Sequence, residues 1–106
     1  MAAGDILQGN FDLAVGGARA TVASLIGGTT YFALMIKAGG CVLVGNSTID
    51  PTSGTATLRG YRMSPGEVMA FDNDSATAGM LDGAKINVIN AQDKPANIEI
   101  FAVANV

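Results

Sequence analysis

Apolar and polar residues alternate, or run in short β-branched stretches, along most of the chain: Ala18 to Leu25, Thr30 to Lys37, Cys41 to Val44, Thr55 to Met63, Glu67 to Phe71, Ala84 to Ile89 and Asn97 to Val103. A side-chain period of two belongs to a strand, so seven strands are predicted, with Ile6 to Leu13 as an eighth. Glycines at Gly16-Gly17, Gly27-Gly28, Gly39-Gly40, Gly54, Gly60, Gly66, Gly79 and Gly83 cut the chain into pieces suited to strands and too short for most helices. Only Ala14 to Ile26 leaves room for a short helix. In Ala84 to Ile89, Ile86 and Val88 oppose Lys85 and Asn87, the pattern of a strand with one wet face. Thr30 to Lys37 differs: Phe32, Leu34 and Ile36 share one face and Tyr31, Ala33 and Met35 the other, so both are apolar. Something must cover the second face.

Several short strands at turn-punctuated intervals, with no helical stripe, predict an all-β antiparallel sandwich or small barrel. The three prolines, Pro51, Pro65 and Pro95, all fall where turns are expected, and no repeat or linker interrupts the chain. A single domain over residues 1–106 follows, with the weakly patterned residues 1–10 a candidate N-terminal arm. Pro65-Gly66 fits a type II turn, proline presetting φ and glycine accepting a positive φ. Asn46-Ser47 fits a turn closed by side-chain bonds to the backbone.

Composition sharpens the question of the second face. Of 106 residues, 49% are hydrophobic and only 14% charged, with a net charge of −3, against roughly 25% charged in ordinary soluble domains. The apolar strand Thr30 to Lys37 and the apolar tail (Ile98, Ile100, Phe101, Val103, Val106) imply more exposed apolar surface than a monomer tolerates. Self-association would cover it, and Tyr31, Ala33, Met35, Phe101 and Val103 are the candidate oligomer interface. With six Lys and Arg in all, and Arg59 and Arg62 the only close pair, phosphate neutralisation is poorly served and no nucleic-acid partner is expected. Residues 1–5 carry an acid where a secretory signal needs positive charge, and Gly27 and Gly28 interrupt the longest uncharged stretch. Synthesis in a cytoplasm and no membrane partner are therefore expected.

The chain has no histidine, no tryptophan and one cysteine. That excludes histidine-based triads, histidine metal sites, disulfide scaffolds and cysteine-rich zinc modules. Cys41 opens an apolar run without an evident partner base and reads as a small buried hydrophobe. Asp72-Asn73-Asp74-Ser75 starts like a calcium loop, but Thr77 stands where glycine is needed and Gly83 where a bidentate glutamate is needed. An enzyme would need a pocket lined by two or more of Glu67, Asp72, Asp74 and Asp82. No enzyme activity, cofactor or metal is expected. Tyr61, between Arg59 and Arg62, is the one polar-aromatic patch, and stacking of a host surface glycan there is the alternative functional reading.

One stretch resembles a known family. Val42-Leu43-Val44-Gly45-Asn46-Ser47-Thr48-Ile49, then Gly54, Arg59-Gly60-Tyr61-Arg62-Met63 and Ser64-Pro65-Gly66-Glu67 are similar to small tailed-bacteriophage virion proteins. In these a V-x-V/I-G-N/D-S-x-V strand and turn precedes a glycine-bearing connection and an L-x-P-G-E turn. Met63 stands here where the family usually has leucine. The resemblance covers the chain from about Val42 onward and implies a β-sandwich of jelly-roll type. It further implies a head decoration (cement) protein, head fibre or tail appendage, first of all a decoration protein on the virion exterior, bound to the major capsid protein and stapling neighbouring subunits. A homotrimer on a local threefold is implied first and a dimer on a twofold second. No catalytic residue comes with the resemblance.

Overall fold

The computed structural model describes residues 2–72 and 81–105. Its strands are β1 (Ile6–Leu13), β2 (Ala20–Thr21), β3 (Tyr31–Ala38), β4 (Val42–Gly45), β5 (Tyr61–Met63), β6 (Val68–Asp72), β7 (Asn87–Asn90) and β8 (Ala96–Ala104). One short helix, α1 (Val22–Ile26), follows β2. The strands form two four-stranded antiparallel sheets, β1-β8-β3-β6 and β2-β7-β4-β5. Strand 1 pairs with 8, 2 with 7, 3 with 6 and 4 with 5. The chain is thus one long hairpin whose paired arms alternate between sheets, which is a jelly roll. The all-β sandwich with eight strands agrees with the alternating pattern of the sequence.

Between the sheets lies a core that includes Leu13, Val22, Tyr31, Leu34, Ile36, Val42, Val44, Met63, Val88, Ile98 and Ile100. Period-two alternation accounts for most of it: Leu34, Ile36 and Ala38 point inward from β3, and Ala96, Ile98, Ile100, Ala102 and Ala104 from β8. No helix among the described residues is long and apolar enough to cross a membrane.

Four expectations change. Ala18 to Leu25 is not one strand: after Thr21 the chain turns into α1, because the Thr21 Oγ1 accepts the Ser24 N–H at 3.1 Å. Thr55 to Met63 begins as a 3₁₀ turn at Ala56–Leu58 and becomes extended only from Tyr61. Residues 6–10 of the candidate arm belong to β1, paired with β8 from Ile6↔Val103 through Leu13↔Ala96. Burial of Leu7, Phe11 and Leu13 against the core ties them down.

Tyr31 departs from its expected face. Tyr31 pairs with Ala104 and Ala33 with Val103, so Phe32 is an extra residue, a β-bulge. The bulge breaks the period of two, and Tyr31 turns into the core with no exposed surface. Its hydroxyl donates to the Gly27 carbonyl at 2.6 Å. Burial, with Asp82 nearby, raises its pKa above the usual tyrosine value.

The two turns behave as their residues dictate. The Asn46 Oδ1 accepts the Thr48 backbone N–H at 2.9 Å. At Pro65-Gly66, Gly66 takes φ +85° and the Glu67 N–H closes the turn on the Ser64 carbonyl at 3.0 Å.

Candidate functional site

Opposite faces of the two sheets meet different fates. On β4 and β7 the residues turned away from the core are Leu43, paired with Ile89, and Leu43 is nevertheless only 3% exposed. The connection from β4 to β5 folds back over this face and brings Ile49, 1% exposed, onto Gly45 and Gly60. Both glycines are required by that approach. A Cβ on Gly45 would lie 2.6 Å from the Ile49 Cγ2, and Gly60, at φ +71°, would bring one within 2.9 Å of the Val44 carbonyl oxygen. The Arg19 guanidinium donates to the Ile49 carbonyl at 3.0 Å, holding the connection to the turn before β2. Over β4 this sheet is covered by its own chain, and a shallow depression of about 360 Å³ remains beside Ile49 at Ile89 and Asn90.

The outer face of β1-β8-β3-β6 is open. Strand registers set its side chains in rows: Ile6 beside Val103 and Ala33; Gln8 beside Phe101, Met35 and Ala70; Asn10 beside Glu99, Lys37 and Val68. Ile6 is 54% exposed, Met35 46%, Val68 51% and Phe101 44%. Two shallow depressions, about 420 and 380 Å³, share Phe101 and Met35 in their walls. The result is an apolar patch over β8, β3 and β6 that reaches Ile6 on β1 past the polar Gln8, with Asn10, Glu99 and Lys37 forming a polar row that ends on Val68. A patch of this kind on a small domain marks an interaction surface.

Of the five candidate interface residues, Ala33, Met35, Phe101 and Val103 come together on this face, and the bulge removes Tyr31. Ile6, Val68 and Ala70 join them and are not recognisable from the sequence. Each lies on an edge strand, and only the pairing of β1 with β8 and β6 with β3 brings it to the patch.

Arg59, Tyr61 and Arg62 do not form one patch. Neighbouring strand residues point to opposite faces, so Tyr61, paired with Val44, shares the core-side face while Arg62, paired with Leu43, points outward. The Arg59 guanidinium is bound to its own loop, its Nε donating to the Ser53 carbonyl at 2.9 Å. Tyr61 stands at the mouth of a cleft of about 580 Å³ between the sheets, lined also by Val44, Glu67, Met69, Phe71 and Lys85. Its hydroxyl donates to the Glu67 Oε2 at 2.9 Å, while the Ser64 N–H donates to Oε1 at 3.1 Å. The Ser64 amide, and then Tyr61, hold the Glu67 carboxyl below the usual glutamate range, and the same bond raises the Tyr61 pKa.

Of the carboxylates an enzyme reading would need, Glu67 lines this cleft and Asp82 does not. The Asp82 Oδ1 instead accepts the Ala84 N–H at 2.9 Å. Asp74 and the rest of the 73–75 calcium-like stretch lie outside the described residues. Among the described residues no three Cys, Asp or Glu side chains are grouped to hold a metal ion. Cys41 is partly buried, and its backbone N–H donates to the Gln92 Oε1 at 2.8 Å.

No protein-family model and no curated protein matches the chain. Among solved structures, it is similar to a de novo designed double-stranded β-helix determined by solution NMR, with a TM-score of 0.52 and 18% identity. The match covers 90% of this chain and 96% of that one. The likeness is one of fold.

Proposed function

We propose that the protein is a non-enzymatic structural component of a bacteriophage virion, a decoration protein that sits on the outside of the head and staples neighbouring major capsid subunits. The observation that carries this reading is the one-sided closure of the jelly roll. On one sheet Ile49 and its loop cover β4, while the other presents Ile6, Ala33, Met35, Val68, Ala70, Phe101 and Val103 on one face. A domain built only to stand alone would lose solubility by this arrangement, whereas an assembly component uses it. The motif resemblance from Val42 to Glu67 supplies the kind of assembly. Each bound copy would add interface area that must be lost before the shell ruptures, so modest contacts sum over many copies.

The test is co-sedimentation with undecorated shells of the cognate major capsid protein, followed by thermal rupture of the decorated shells. Binding should saturate at a fixed ratio to capsid subunits and raise the rupture temperature. Protein that stays in the supernatant at saturating concentration overturns the proposal.

A further inference from the structure

We infer that the open face of β1-β8-β3-β6 is covered by a second copy of this chain, related by a twofold axis that lies in the interface and runs between β3 and β8. The inference rests on the reading of this face as an assembly surface and goes further by naming its occupant. A single self-complementary patch closes with a twofold, whereas a threefold ring needs two different surfaces that fit each other.

The registers supply the complementarity. Across β8 and β3, Phe101 pairs with Met35 and Glu99 with Lys37. A twofold parallel to these strands and midway between them exchanges the two columns. It therefore sets Phe101 over the partner's Met35 and Glu99 opposite the partner's Lys37, each contact occurring twice. Phe101 then enters the depression lined by Ala33, Met35 and Ala70, where two alanines leave room for the ring. A thioether against an aromatic ring is a favourable contact, and the reciprocal charge pairs fix the register of one sheet on the other. Sheets stacked face to face pack about 10 Å apart with strands nearly aligned, which this axis permits.

Twofold symmetry makes the test internal to the protein. Glu99→Lys places two lysines opposite each other in its own dimer, and Lys37→Glu places two glutamates. Mixed in equal amounts, the two variants restore both attractive contacts across a heterodimer, and so does the double variant within its own dimer. Light scattering after size exclusion, over a hundredfold dilution and at low salt, should give twice the chain mass for the wild type. Each single variant should dissociate at least tenfold more readily, and the mixture and the double variant should return to twice the chain mass. Circular dichroism checks that each variant is folded; if one single variant is not, loss of the dimer in the other and its return in the double variant decide.

A monomeric or trimeric wild type, or charge reversals that leave the mass unchanged, overturns the inference. So does a mixture of two folded single variants that fails to recover, because the double variant also restores the Lys37–Glu99 neighbour pair within one chain. A wild-type monomer that still sediments with shells overturns the twofold and leaves the decoration reading standing. A dimer that never sediments with shells does the reverse.

Discussion

Truncating Ile49 to alanine tests the claim that only one face of the sandwich is open. Ile49 is 1% exposed and sits on Gly45 and Gly60, covering a sheet face to which Leu43 and Ile89 also contribute. Removing three carbons from a buried isoleucine costs about 2–5 kcal/mol, the value depending on how far the surroundings collapse. Here the side chain hangs from a surface connection that can relax, so the lower part applies, about 2–3 kcal/mol. In urea this is a fall in midpoint of roughly 1–2 M at unchanged slope. Ile6→Ala is the matched control: the same atoms are deleted from a residue 54% exposed, where about 0.5 kcal/mol or less is expected. The assay is equilibrium unfolding followed by circular dichroism. Because Ile6 lies in the proposed dimer face, the comparison is made at a concentration low enough for both proteins to be monomeric. If Ile49→Ala costs less than about 1 kcal/mol, or no more than Ile6→Ala, the connection does not cover β4 and the one-sided argument fails.

Asn90, 5% exposed, donates to the Leu13 and Lys94 carbonyls at 2.8 Å each and accepts the Gln92 N–H at 2.7 Å, joining β7 to the end of β1. Asn90→Ala should cost about 2–4 kcal/mol, because buried carbonyls lose their donor; thermal unfolding within 3 °C or so of the wild type would contradict this. The Glu67 carboxyl is held below its ordinary value of 4.5, so the folded state favours the ionised form. Its contribution is complete above that value and is lost as pH falls below it. Stability of the wild type should therefore decline faster in acid than that of Glu67→Gln, and parallel curves would refute the assignment. Since Tyr61 and Arg62 face opposite sides of the sheet, no retention on immobilised host glycans above background is expected; retention that disappears in a folded Tyr61→Ala variant would reinstate sugar contact.

The all-β class, the approximate places of most strands and both turns are legible in the chain alone, because each rests on short-range physics. Alternation fixes which residues share a strand face, Pro65-Gly66 sets its own dihedral angles, and Asn46 bonds to a backbone two residues on. The sequence also contained most of the open face, since Ala33, Met35, Phe101 and Val103 alternate with residues that clearly belong inside. The rest depends on contacts between segments far apart in the chain. The inward turn of Tyr31 depends on a bulge that exists only in the register of β3 against β8. The split of Arg59, Tyr61 and Arg62 depends on where the 3₁₀ turn ends and β5 begins. Most of all, β4 is covered on its outer face while the other sheet stays open because Ile49 finds a seat on Gly45 and Gly60. That outcome rests on a contact between segments brought together by winding the hairpin, and period-two reasoning carries no information about which face a connection will cross.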